Sequence, residues 1–195
     1  MSAKSIISCL DRTLIPMGFQ RQKATWNRPQ DDVVEVIDIQ SSKGGDRVTI
    51  NAGVLSRSVY FACWGRDVEP FVEEPFCTVR ARIGQLSDNK DLWWDVSCKS
   101  AIDEIAEHLE RRIIPFLQRM RSPEEMREWL ASTGAPLSRL PMPSICFAVL
   151  QSQLGNIDDA CEVLSDLQRN ALGGWKVKAA EVSTRIGYDS LKTGD

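Results

Sequence analysis

The chain has 195 residues, of which 43% are hydrophobic and 26% charged, with a formal net charge of −3 at pH 7 and a pI near 5.3. That length carries one sizeable core, or one domain with a small appendage, and the composition is that of a folded protein rather than a disordered one. The slight acidity supplies no global field for phosphate backbones, so non-specific nucleic-acid binding is disfavoured and a basic protein partner gains.

In chain order, Ile6, Ile7, Leu10 and Leu14 recur at helical spacing until Pro16 and Gly18 stop the pattern, which predicts an opening amphipathic helix. Rough polar and aromatic alternation from Phe19 to Arg28 predicts a first strand, and Pro29-Gln30-Asp31-Asp32 a hairpin turn. Val33 to Gln40 is apolar enough to be a central strand. After a turn with Gly44-Gly45, Val48, Ile50, Ala52 and Val54 alternate strictly with Arg47, Thr49, Asn51 and Gly53, the cleanest strand signal in the chain. A further strand sets Cys77, Val79, Ala81 and Ile83 against Thr78, Arg80 and Arg82.

Between these last two strands lies Ser56 to Pro75, long for a structureless loop, with Val59 to Cys63 fitting a short strand. The segment carries Tyr60, Phe61, Trp64 and Phe71 beside Glu69, Glu73 and Glu74. Two readings stand here: the aromatic and acidic residues contact a protein partner, or the rings fold back and cover the sheet.

Helices follow. Ser100-Ala101-Ile102-Asp103 resembles a capping box, and Ile102, Ile105, Ala106, Leu109, Ile113, Phe116 and Leu117 form a core stripe that Pro115 should kink or break. Ser122-Pro123-Glu124-Glu125 is a stronger start signal, for a helix that buries Met126, Trp129 and Leu130 and ends at Gly134. Pro136, Pro141 and Pro143 mark a linker, after which Ile145 to Leu154, Asp158 to Leu167 and Trp175 to Ile186 read as three helices. The phrase Leu154-Gly155-Asn156-Ile157-Asp158-Asp159-Ala160 looks like the turn between the helices of a tetratricopeptide repeat, in a single copy that cannot build a solenoid. The expected organisation is an α+β domain over 1–133, a linker over 134–143 and a helical appendage over 144–195. The expected fold is α+β, an antiparallel sheet of four to five strands packed against helices.

Catalytic chemistry finds little material. Cys9, Cys63, Cys77, Cys98, Cys146 and Cys161 have no close spacing and read as buried, reduced thiols, while the single histidine, His108, sits on the flank of an amphipathic helix. Asp31-Asp32, Glu73-Glu74 and Asp158-Asp159 are adjacent rather than facing, and Lys43-Gly44-Gly45 is a hairpin turn rather than a phosphate loop. The expectation is a protein without catalytic residues, metal or cofactor. No apolar run approaches the length of a membrane span, and the short Ile6 to Leu10 stretch is no export signal, so a cytoplasmic location is expected.

What remains is the polar side of the sheet. Residues i and i+2 point the same way, so Arg80 and Arg82 form a two-pronged cationic site, with Gln40, Asn51 and Asp38 on neighbouring strands. The candidate ligand-binding set is Gln40, Asn51, Arg80, Arg82 and Trp94, suited to a carboxylate or phosphate. The alternative is a solvated face whose arginines pair with nearby carboxylates. Trp93-Trp94 in an extended segment points one ring to each side, so at least one belongs to the core.

Several short motifs occur in a recognisable order: Gly18-Phe19-Gln20-Arg21, Ile37-Asp38-Ile39-Gln40-Ser41-Ser42, Thr49-Ile50-Asn51-Ala52-Gly53-Val54, Cys77-Thr78-Val79-Arg80-Ala81-Arg82-Ile83-Gly84-Gln85-Leu86 and Trp93-Trp94. Over about residues 1–130 the chain resembles domain-of-unknown-function family 4304, mostly bacterial. The resemblance implies no established activity, cofactor or catalytic residue. Small families of this kind often accompany toxin genes as immunity proteins, which makes a non-catalytic, toxin-neutralising binding protein the expected function. Its partner would meet Tyr60, Phe61, Trp64, Glu69, Phe71, Glu73 and Glu74. A small-anion or nucleic-acid binding module using Arg80 and Arg82 is the alternative.

Overall fold

Antiparallel pairing organises the first half of the chain. The computed structural model describes residues 3–88, 90–132 and 140–187. Six strands form one sheet: β1 (Gln20–Gln22), β2 (Thr25–Gln30), β3 (Val33–Ser41), β4 (Arg47–Ser56), β5 (Val79–Arg82) and β6 (Trp94–Asp95). Strands β1 to β5 are neighbours in chain order, and β6 pairs with the start of β4, Val48 opposite Trp94. The chain is therefore α+β with an antiparallel sheet, as its alternation predicts.

Strand boundaries in the sheet differ from the sequence expectation. The Phe19 to Arg28 stretch is two strands, because Lys23 adopts a positive φ of 55° and turns β1 back onto β2. The strand expected from Cys77 to Ile83 is shorter, since Ile83–Leu86 winds into a 3-10 turn.

The described residues fall into two compact units, one within Met1–Leu55 and Glu69–Met120, the other within Ser56–Val68 and Arg121–Asp195. The sequence reading places a linker at 134–143. Residues 133–139 lie outside the described residues, as does the expected helix end at Gly134, and Pro141 to Pro143 already belong to a helix.

In the first unit, helix α1 (Ala3–Leu14) buries Ile6, Leu10 and Leu14, and Asp11 accepts a 2.9 Å hydrogen bond from the Trp26 indole of β2. Trp26, Ile37, Ile50, Ala52, Val79 and Ala81 are buried, and alternation puts them on one core face of the sheet. That face also buries an ion pair, Arg28 with Glu35, directly opposite each other on β2 and β3 with 2.5 Å between Nε and Oε2. The Arg28 guanidinium lies 4.4 Å from the Phe19 ring centroid and donates to the Met17 carbonyl.

Helix α3 (Ala101–His108) runs through a π segment, Leu109–Ile113, into α4 (Ile114–Arg119). Pro115 does not break this run. It falls in the first turn after the π segment, where the regular ladder is already interrupted and its missing N–H costs less. The capping box expected at Ser100 does not form, since Ser100 is itself in helical geometry and its hydroxyl pairs with Cys98 instead.

The second unit is helical: α2 (Arg57–Trp64), α5 (Pro123–Ser132), α6 (Pro141–Gln153), α7 (Ile157–Asn170) and α8 (Gly174–Arg185). Helices α5 to α8 pack in sequence, and α2 lies against α6 and α8. The expected short strand at Val59 to Cys63 is thus part of a helix. Ser56 caps it by accepting from the Val59 N–H, and Gly65 ends it in the left-handed region. Helix α5 begins as its sequence predicts, with the Ser122 hydroxyl accepting from the Glu125 N–H. No helix among the described residues is long and apolar enough to cross a membrane.

All six cysteines are free. Cys63, Cys77 and Cys146 are buried, but Cys9 and Cys161 are half-buried and Cys98 is exposed, against the expectation that all would be buried. Burial pushes the Cys77 thiol well up, and a hydrogen bond with Cys63 together with burial does the same for Cys146.

Candidate functional site: the polar face of the sheet

Strand pairing assembles the polar face residue by residue. Asn51 on β4 is directly opposite Arg82 on β5, Gly53 is opposite Arg80, and Thr25 on β2 is opposite Asp38 on β3. The amide of Asn51 donates to Gln40 Oε1 at 3.2 Å, which brings the third strand into the same cluster. The grouping of Gln40, Asn51, Arg80 and Arg82 expected from alternation is therefore present in space.

Arg82 is the hub. Its Nη2 donates to Gln40 Oε1 at 3.1 Å, its Nη1 to Asp91 Oδ1 at 3.1 Å, and its Nε reaches Asn51 Oδ1 at 3.4 Å. The Trp93 ring centroid is 5.6 Å from the guanidinium carbon, and the same indole donates to Asp91 Oδ2 at 3.0 Å. Asp91 thus receives donors on both oxygens, and the Trp93 and Arg82 hydrogen bonds lower its pKa below the usual aspartate value. Gln85 accepts from the Arg82 backbone N–H, fixing the turn that follows β5.

Arg80 makes a fork with Glu74, Nε to Oε1 at 2.7 Å and Nη2 to Oε2 at 2.8 Å. The two partners are unequally buried, 51% of the Arg80 side chain being exposed against 7% for Glu74. The hydrogen bonds to Glu74 raise the Arg80 pKa further, so the guanidinium stays charged.

Two glycines and one asparagine set the walls. A Cβ on Gly84 would lie 1.7 Å from the Lys90 carbonyl oxygen, so only glycine lets the backbone at Lys90 close over the end of β5. A Cβ on Gly53 would meet Cys77 at 2.7 Å. Asn27 exchanges hydrogen bonds with the Val72 backbone, donating at 2.9 Å and accepting at 2.6 Å, and so pins the segment that carries Glu73 and Glu74.

The result is an open polar cleft with two lobes. One, of about 510 Å³, is bounded by Arg82, Gln85, Lys90 and Asp91, the other, of about 440 Å³, by Thr25, Asp38, Gln40 and Glu73. Asn51, Glu74, Arg80 and Arg82 are common to both.

Trp94 does not belong to this cleft. It is 4% exposed, donates to Glu104 at 3.1 Å and sits 5.5 Å from the His108 ring, because alternation turns it to the core side while Trp93 faces Arg82. His108 is half-buried beside it, with Nδ1 3.5 Å from the Ser87 hydroxyl.

The aromatic and acidic set is divided. Tyr60, Phe61 and Trp64 are on α2 in the second unit, whereas Glu69, Phe71, Glu73 and Glu74 belong to the first. Tyr60 is buried, Trp64 has Lys178 Nζ 4.7 Å from its ring, and Glu74 is taken up by Arg80, while Phe61 stays exposed. Residues that sequence reasoning missed are Thr25, Lys90 and Asp91, and of the Trp93-Trp94 pair it assigned the wrong ring to the site. Lys90, Asp91 and Trp93 lie in the irregular stretch after β5, where no periodicity announces which way a side chain points. Among the described residues no group of three or more His, Cys, Asp and Glu could hold a metal ion.

Residues 10–119 match the family model described as Domain of unknown function (DUF4304). The match spans more than half of the chain, which therefore belongs to this family. No curated protein and no solved structure matches it.

Proposed function

We propose that this DUF4304 protein works by binding rather than catalysis, that its recognition surface is the polar face of the sheet, and that its partner is another protein. The observation that carries the reading is the Arg82 cluster. A guanidinium held by an amide, a second amide, a carboxylate and an indole is fixed before any partner arrives, which reduces the ordering cost of recognition. Small-molecule pockets are mostly apolar and enclosing, whereas this cleft is open and its lining is dominated by charged and amide side chains. That favours the side chains of a partner protein over a metabolite.

A free anion is less well served, because it would compete with Glu74 for Arg80 and with Asp91 for Arg82. The same pairing weakens a nucleic-acid reading. The aromatic segment is also weaker as a surface, with Tyr60 buried and Glu74 consumed internally. Toxin neutralisation in the bacterial cytoplasm is the direction that the family resemblance suggests for such a binding protein, and this reading adopts it.

The test is quantitative affinity capture from the native cell with the tagged full-length chain, its Arg82→Glu variant and its Phe61→Ala variant. A stoichiometric companion should be retained by the wild type and by Phe61→Ala and lost from Arg82→Glu. A companion lost only with Phe61→Ala would move the surface to α2, and one retained by all three would overturn the assignment of the polar face.

A further inference from the structure

The charges of the cleft fall into two classes. Arg80 with Glu74 and Arg82 with Asp91 are ion pairs, and both arginines belong to the wall that the lobes share. The charged side chains of the cleft that make no ion pair among the described residues are at its two ends. Lys90 is exposed in the lobe beyond β5, while Asp38, which accepts from Thr25 Oγ1 at 2.8 Å, and exposed Glu73 are in the lobe toward β2. The Lys90 lobe thus holds three cations against two carboxylates, and the Asp38 lobe three carboxylates against two cations.

We infer that the cleft is bipolar and takes a mixed-charge polypeptide segment, whose acidic side chain enters the lobe of Lys90 and Arg82 and whose basic side chain enters the lobe of Asp38 and Glu73. This deepens the preceding reading and rests on it. The physical reason is that a paired charge contributes little new attraction to an incoming group, while an unpaired one offers its whole field at short range. A segment with only acidic groups meets Asp38 and Glu73 as like charges, and one with only basic groups meets Lys90. Carrying both signs in the right order satisfies the two ends at once and also sets the direction in which the segment lies, because reversing it places like charges together.

The arrangement needs no movement of the shared wall. Gln40 and Asn51 remain bonded to Arg82, and the segment's backbone would cross above them, where their amides and the exposed side of Arg80 supply polar contacts. Gly84 and the Asn27–Val72 exchange hold the two ends in place, one fixing the backbone of Lys90 and the other the segment of Glu73.

The test uses the ¹⁵N-labelled full-length chain titrated with three blocked tetrapeptides of one length: Lys-Gly-Gly-Glu, Glu-Gly-Gly-Glu and Lys-Gly-Gly-Lys. The mixed peptide should shift the amides of Lys90, Asp91, Asp38 and Glu73 together, with a midpoint about fivefold below either single-sign peptide, as expected for surface ion pairs. In Lys90→Glu the all-lysine peptide should become the tightest, and in Asp38→Lys with Glu73→Lys the all-glutamate one. The spectrum of each variant reports its fold directly. A wild-type preference for a single-sign peptide at the cleft would overturn the bipolar assignment while leaving the face as a recognition surface. Shifts confined to residues outside the cleft would overturn both.

Discussion

Two of the arginine–carboxylate pairs of the first unit lie on opposite sides of the same sheet. On the core side Arg28 and Glu35 face each other across β2 and β3, with side chains 10% and 0% exposed. On the polar side Arg82 meets Asp91 at 3.1 Å with side chains 37% and 65% exposed. The chemistry is the same and the surroundings are not. A buried pair has lost the hydration of both ions, so each partner depends on the other, whereas a solvated pair gains little net stability and keeps its geometry available for a third group. Arg28 Nη2 is buried without a hydrogen-bond partner among the described residues, which fits a group committed to packing rather than to recognition.

The largest expected effect breaks the core-side pair. Glu35→Ala should destabilise the chain by about 3–5 kcal/mol, the cost of leaving a buried charge without its partner. Urea denaturation measures it, and a loss below about 1 kcal/mol would show that Arg28 reaches water in the variant. The double change Arg28→Met with Glu35→Leu sharpens the point, since an apolar pair of similar volume should recover most of the loss.

A smaller effect is expected on the polar side. Arg82→Ala removes the donors to Gln40, Asn51 and Asp91 together, yet the denaturation free energy should fall by no more than about 1 kcal/mol. A drop comparable to that of Glu35→Ala would mean that the cluster holds the fold rather than offering a surface.

The smallest effect is in pH. Because its partners lower the Asp91 pKa, the carboxylate stays charged below the ordinary aspartate range, and its links to Trp93 and Arg82 are present above about pH 4 and lost as the pH falls through the lowered value. The Trp93 Nε1 proton, followed by NMR, should report that transition on the acid side of the usual aspartate midpoint. A midpoint at or above the usual value would mean that Asp91 is not held by these donors.

Alternation made both faces of β4 and β5 legible, because a strand leaves no choice about which residues share a side. Gln40, Asn51, Arg80 and Arg82 could be grouped on that ground, and strand pairing did bring them together. Alternation also requires Trp93 and Trp94 to diverge, but it does not say which ring turns inward. Trp94 is the buried one because β6 pairs it with Val48 of the core.

Irregular segments were harder to read. The stretch from Tyr60 to Phe71 has the composition of a strand or a loop, and it became a helix followed by a crossing between units because Ser56 and Gly65 supplied the caps and α6 and α8 supplied the packing. Lys90 and Asp91 enter the cleft only because Gly84 admits the backbone at Lys90.

By itself, then, the amino-acid sequence determined the α+β class, the sides of the long strands, the start of α5 and the helical character of the C-terminal part, all consequences of local periodicity and capping. Tertiary structure decided the rest. Whether an arginine is buried against Glu35, forked onto Glu74 or held by Asp91 depends on which distant carboxylate the fold brings within 3 Å or so, and on how much water is left around the pair. That distance and that hydration are properties of the packed chain, and no neighbour in the sequence carries them.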